Sequence, residues 1–160
     1  MSGLSAEASG VLTVDLAALR DNYRKLKSIA SGARSAAVIK ADAYGTGAPH
    51  AVRALTAEDC GTFFVATLGE ARIVRATAPD VTIYVLDGLF PDAGPAFADI
   101  GARPVLGSIP EIRDWAAFCK THGQALPAAI HIDTGMNRLG LPPGDVDAAA
   151  SDTEALGAFE

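Results

Sequence analysis

The sequence predicts an α/β protein whose strands run parallel and alternate with helices. Three observations carry this. Short apolar, β-branched runs start at Ala36, Thr62, Val81, Arg103 and Ala128, spaced 19 to 26 residues apart. Stretches with helical periodicity fill the intervals between them. Glycine, proline or capping residues mark the joins. That interval is what repeated βα units need, because each parallel strand must be followed by a crossover helix.

Before the first unit, Val11-Leu12-Thr13-Val14 reads as a short strand. Asp15 follows as an N-cap for a helix to about Ser28, with Leu16, Leu19, Tyr23 and Leu26 at helical spacing and Ser31-Gly32 closing it. Strand Ala36–Lys40 comes next, then a loop with Gly45, Gly47 and Pro49, and a helix from about His50 to Thr56. Thr62–Ala66 is a strand, Leu68–Ala76 a helix and Val81–Leu86 a strand ending at Asp87-Gly88. Pro91–Ile100 is a proline-interrupted helix, and Arg103–Leu106 a short strand. Ser108-Ile109-Pro110-Glu111 has capping-box spacing and opens a helix to about His122, stopped by Gly123. Ala128–Ile132 is the last strand. Asp133–Gly140 is a loop, and an alanine-rich helix starts near Gly144.

Two architectures fit these units: a doubly wound open sheet, or part of a (β/α)8 barrel. The dinucleotide fingerprint of the first is incomplete, since Gly45-Thr46-Gly47 lacks the third glycine and His50 stands in its place. A whole barrel takes about 250 residues, so five units in 160 residues read as a barrel cut short. Residues 1–10 form a lead-in without the basic start and apolar core of a signal peptide, and 11–160 a single unit.

Composition excludes several partners. The net charge of −6 and the absence of a Lys/Arg cluster argue against nucleic acid. The basic stretch Arg20 to Lys27 alternates with apolar residues, as on a solvated helix face. No apolar run reaches the roughly 20 residues of a membrane span. Cys60 and Cys119 have no CxxC spacing, and reduced thiols in a cytoplasmic protein are expected. No metal site is indicated.

Chemistry concentrates at two places. Lys40 ends an apolar run, at the carboxyl end of a strand where α/β folds put their reactive groups. A buried lysine that loses its charge becomes a nucleophile; the plainer reading is a stem buried along the strand with its ammonium in solvent. Arg138 lies in the loop after the last strand, where its fork of donors can hold a carboxylate or phenolate. Its plainer reading is an ion pair with Asp133 across a glycine-shaped turn.

Ala37-Val38-Ile39-Lys40-Ala41-Asp42-Ala43-Tyr44-Gly45, followed by Gly47-Ala48, resembles the pyridoxal-phosphate attachment motif of alanine racemases. Asp133-Thr134-Gly135-Met136-Asn137-Arg138-Leu139-Gly140 is similar to their second signature. Leu12-Thr13-Val14-Asp15-Leu16, with Leu19 and Asn22-Tyr23, resembles the family's start. The resemblance runs from Val11 to Leu141. It implies a fold-type III enzyme: a partial (β/α)8 barrel without its last strands and C-terminal β domain, from a homodimeric family. It implies interconversion of L- and D-alanine, which supplies D-alanine for peptidoglycan. By that resemblance Lys40 forms a Schiff base with pyridoxal 5'-phosphate and moves the Cα proton on one face. Tyr44 binds the cofactor phosphate, Val38 and Leu86 lie beside its ring, and Arg138 contacts its phenolic oxygen and the substrate carboxylate.

Two departures stand out. His131 occupies a strand position where many members carry a carbamylated lysine, so Arg138 needs another support, or His131 is an ordinary core residue. The chain also ends before the family's pyridine-nitrogen arginine and the opposite-face tyrosine, which a partner subunit contributes. It is therefore expected not to turn over alone. A broad-specificity racemase, a D-threonine aldolase-like lyase and a non-catalytic cofactor-binding fragment are the alternatives.

Overall fold

Five parallel strands lie side by side in chain order, β1-β2-β3-β4-β5. They are β1 (Ala37–Val38), β2 (Thr62–Val65), β3 (Thr82–Val85), β4 (Arg103–Leu106) and β5 (Ala129–Ile130). A doubly wound sheet reverses its strand order at a switch point; here each strand pairs with its successor, the winding of a barrel wall. The order thus decides between the two architectures. A computed structural model describes residues 9–30 and 32–160. Residues 1–8 of the expected lead-in and Ser31 lie outside the described residues.

The helices are α1 (Leu16–Ile29), α2 (Lys40–Gly45), α3 (Ala48–Thr56), α4 (Leu68–Thr77), α5 (Gly94–Ile100), α6 (Ile109–His122), α7 (Pro143–Ser151) and α8 (Thr153–Leu156). Their ends follow local chemistry. Asp15 Oδ1 accepts from the N–H groups of Ala17 and Ala18 at 2.9 and 3.0 Å, starting α1. Thr67 and Glu70 form a reciprocal capping box on α4. Gly123, at φ 76°, ends α6 in the left-handed region that glycine adopts without strain.

Strand alternation sorts the side chains. Phe63, Val65, Ile83 and Val85 are buried against the helices, while Thr62, Phe64, Thr82 and Tyr84 on the other face are half-buried. Across that second face Phe64 stacks on Tyr84 with centroids 5.0 Å apart, and Arg103 lies over the Tyr84 ring. The helical side holds Trp115, fully buried, edge-on to Phe97 at 5.8 Å, with its indole N–H donating to Leu126 O at 3.3 Å.

Three expectations need correction. Val11–Val14 forms no strand; Val11 and Leu12 are 63% and 77% exposed, and no strand pairs with them among the described residues. β-Branched residues do not make a strand without a ladder partner. The strand expected over Ala36–Lys40 pairs only at Ala37–Val38 and makes its last ladder bond from Ile39 N to Phe64 O, so Lys40 begins the next element. Finally, α3 starts at Ala48, ahead of His50, because Gly47 turns the chain and Pro49 fits a first helical turn. No helix among the described residues is long and apolar enough to cross a membrane.

The first helix is tied down by charge. Glu58, after α3, accepts from Arg24 Nε at 2.6 Å and Nη2 at 2.8 Å, and Lys27 Nζ donates to its carbonyl at 3.2 Å. The Arg24 guanidinium holds the Glu58 carboxyl below its ordinary value of 4.5. A depressed carboxylate stabilises fully above its unfolded pKa, and that contribution is lost as acid passes the lower folded value. Protection of the α1 amides, taken as their exchange rate relative to the unfolded chain at the same pH, is therefore expected to hold from neutral pH to about pH 4.5 and to fall below it. A Glu58→Gln chain, which has no carboxylate to titrate, should lack this acid step; an α1 exchange profile identical to wild type would contradict the tie.

Candidate functional site at the carboxyl ends of the strands

Lys40 opens a left-handed helical turn. Ala41, Asp42, Ala43 and Tyr44 carry φ of 51, 54, 54 and 57°, and none is glycine. For L-residues this conformation costs about 1–2 kcal/mol each, so roughly 4–8 kcal/mol for the turn, comparable to the net stability of a whole domain. It persists because the surroundings fix it. Ala43 N donates to Ile39 O at 2.8 Å and Gly47 N to Asp42 O at 2.9 Å. Asp42 Oδ1 accepts from Ala48 N at 2.7 Å, capping α3. Glu70 Oε1 accepts from Ala41 N at 2.7 Å. The turn leaves Lys40 half-buried and Tyr44 65% exposed.

Register sets the levels at the strand ends. Val38 is level with Phe64, Val65 with Val85, and Val85 with Pro104. Pairing continues past the strand ends, with Leu86 N on Val65 O and Asp87 N on Ala66 O. Carried one tier on, Ala66, Leu86 and Val105 share a level on the face opposite the helices, whereas Lys40 follows Ile39, whose ψ of 21° has already left the extended backbone. Leu86 thus lies just past the end of β3, and Val38 is the last paired residue of β1.

The Arg138 loop is closed at its base. Leu141 N donates to His131 O at 2.7 Å and Asp133 N to Leu141 O at 2.9 Å, while Leu141 itself is buried. Asp133 Oδ1 accepts from Gly135 N at 2.9 Å. Backbone N–H groups of Gly135 and Asn137 lower its carboxyl pKa. Asp133 is thus engaged by the turn, and the expected Asp133–Arg138 ion pair does not form. Gly135 and Gly140 do supply the turn geometry, at φ 128 and 102°.

Leu86, Gly107, Ser108, Glu111, His131 and Arg138 line one cleft of about 400 Å3 between the ends of β3, β4 and β5. A cleft of about 450 Å3 lies against α5 and α6, lined by Leu89, Phe90 and Phe118, but its only ionisable groups are Asp92 and Asp114. The smaller cleft holds the cation and the imidazole and is the candidate. Lys40 and Tyr44 follow β1 and Arg138 follows β5, the two edges of the sheet; the cleft gathers Arg138, His131 and Leu86 but not Lys40, Val38 or Tyr44. Among the described residues Lys40, Tyr44 and Arg138 have no side-chain hydrogen-bond or ion-pair partner. His131 is half-buried at the mouth, its ring against Gly140, and is not a core residue.

The sequence reading missed Asp42, Glu70 and Glu111 as shapers of the site. Glu111 Oε1 accepts from Leu89 N at 3.1 Å and Oε2 from Gly107 N at 2.7 Å, joining the loops after β3 and β4. Thr67-x-x-Glu70 has the capping-box spacing recognised at Ser108-x-x-Glu111 and was the available signal.

Comparison with known proteins adds the following. Residues 14–160 match the family model described as alanine racemase, N-terminal domain. The alanine racemase of Methylobacterium sp. (strain 4-46) is 57% identical over 139 residues, covering 87% of this chain and 38% of that protein. A catabolic alanine racemase of Mesorhizobium japonicum is 44% identical over 154 residues, covering 94% of this chain and 40% of the relative. The crystal structure of alanine racemase from Bartonella henselae, with covalently bound pyridoxal phosphate, superposes with a TM-score of 0.88 at 35% identity, over 92% of this chain and 43% of that one. The chain thus spans about 40% of the length of the curated relatives it matches.

Proposed function

Since the chain belongs to the alanine racemase N-terminal domain family, we propose that it forms the cofactor-attachment wall of a pyridoxal-phosphate-dependent racemase interconverting L- and D-alanine. The observation that carries this is the set of unengaged donors at the strand ends. The Lys40 amine, the Tyr44 hydroxyl and the Arg138 guanidinium are all without protein partners among the described residues, while the carboxylates Asp42, Glu70 and Asp133 of the same loops accept from backbone N–H groups. Such a donor set fits a ligand that brings its own anions: a phosphate, a phenolate and a substrate carboxylate.

When bound, pyridoxal phosphate supplies an electron-withdrawing ring that takes up the electron pair left as the α-proton departs. Lys40 Nζ would be the attachment point and, as a free amine, would hold or return the α-proton. Tyr44 donates its hydroxyl to the phosphate. Arg138 donates to the phenolic oxygen and to the substrate carboxylate, where a planar fork of donors fixes orientation as a lysine could not. Val38 and Leu86 would offer the ring apolar side chains to pack against. The same reading makes the working protein a cytoplasmic homodimer in which residues 11–160 act as one unit.

The test is direct. The chain is incubated with pyridoxal phosphate, reduced with borohydride, digested and mapped, and then assayed for racemisation of D- and L-alanine. A stable adduct on Lys40 is expected; an adduct spread evenly over the lysines would sink the proposal.

A further inference from the structure

We propose that Glu70 is a positioning residue for Lys40: its carboxylate holds the left-handed turn that aims the lysine into the site. The inference rests on the reading of Lys40 as the cofactor attachment point. Glu70 is half-buried at the start of α4, and it uses both oxygens. Oε2 accepts from Ala66 N at 2.7 Å and Thr67 N at 3.3 Å, at the end of β2. Oε1 accepts at 2.7 Å from Ala41 N, the peptide nitrogen directly after Lys40. One side chain therefore clamps the ends of two neighbouring strands together at the residue where the backbone changes hand.

Helix capping alone does not call for this arrangement. A capping box needs a single acceptor oxygen, and glutamine serves in it as well as glutamate. The bond to Ala41 needs the second oxygen. In glutamine that position is an NH2, a donor facing a donor. Released from Glu70, Ala41 N–H would lack an acceptor, and the first of four left-handed non-glycine residues would lose the contact that opposes its relaxation to the right-handed region. The side chain of Lys40 leaves the backbone one residue before Ala41, so relaxation of the turn re-aims it. Glu111 shows the same two-loop clamp after β3 and β4, where the clamped loop carries Gly88 at φ 80° and no strained non-glycine run. At Glu70 alone the clamp acts on an attachment lysine.

Glu70→Gln separates the two roles, because it retains the cap and removes the second acceptor. Wild-type and Glu70→Gln chains are compared for thermal midpoint, for amide exchange at Ala41, and for the share of borohydride-fixed pyridoxal phosphate on Lys40 against Lys25, Lys27 and Lys120. We expect a midpoint close to wild type. Exchange at Ala41 should quicken by about tenfold, as for the loss of one charge-assisted hydrogen bond. The Lys40 share should fall while labelling of the other lysines holds. An unchanged Lys40 share in Glu70→Gln overturns the inference and leaves the reading of Lys40 intact. A lower midpoint with all lysines labelled more evenly would mark a merely structural role and also overturn it. No Lys40 adduct in the wild-type chain overturns the reading and, with it, this inference.

Discussion

A Lys40→Ala chain treated with pyridoxal phosphate and borohydride is expected to carry only background label in total, spread over Lys25, Lys27 and Lys120, and a Lys40→Arg chain the same. The two substitutions remove different things. Alanine removes the amine and the charge together. Arginine keeps a cation of similar reach but cannot shed its proton at any workable pH, and only an uncharged amine attacks a carbonyl carbon. If Lys40 merely attracted the phosphate by charge, arginine would preserve binding and whatever labelling followed from it. Neither substitution should disturb the neighbouring backbone, because the turn over Ala41–Tyr44 is held by Glu70, Asp42 and main-chain bonds, with no contribution from the Lys40 side chain. Far-UV circular dichroism should accordingly match wild type in both variants. A wild-type amount of fixed label in either variant, carried by Lys25, Lys27 or Lys120, would remove Lys40 from the site.

The two residues proposed to carry the chemistry stand out in the sequence because each sits in a dense local pattern. Lys40 stands between an apolar run and Tyr44-Gly45, and Arg138 between Gly135 and Gly140. The barrel winding was half legible: strand spacing pointed to parallel βα units, but only the observed order of the strands decides how they wind. The left-handed turn was not legible at all. Ala-Asp-Ala-Tyr is a sequence of ordinary right-handed propensity, and among the bonds that hold it reversed is one from Ala41 N–H to Glu70, 29 residues away. Val11–Val14 failed for a related reason. Its residues suit a strand, but strand identity belongs to a pair, and no ladder partner lies beside it. In the Arg138 loop, the ion pair expected with Asp133 was a local guess defeated by still more local chemistry, since Gly135 and Asn137 N–H groups reach the carboxylate first.

Gly140→Ala is expected to push the Arg138 loop off the cleft. A Cβ at Gly140 would lie 2.8 Å from Asp133 N and 3.0 Å from His131 Cδ2, closer than non-bonded packing allows. The backbone there, at φ 102°, also lies outside the region an alanine tolerates. Strain of that kind costs on the order of 1–3 kcal/mol before any clash is counted. The clash falls on the two hydrogen bonds that close the loop base, Asp133 N to Leu141 O and Leu141 N to His131 O, so relief must open the loop or tilt the His131 ring. Gly107 packs from the other side, its own Cβ position 3.2 Å from Gly140 N, which blocks a simple retreat. Gly135→Ala is the control. Its φ of 128° is as unfavourable, but nothing lies within 4 Å of the added methyl. Denaturant unfolding should therefore show both variants destabilised and Gly140→Ala more so. His131 ring resonances should shift in Gly140→Ala alone. If pyridoxal phosphate and alanine bind through Arg138, affinity should drop with that shift and stay near wild type in Gly135→Ala; equal losses in the two variants would mean that loop strain, and not the placement of Arg138 against His131, governs the site.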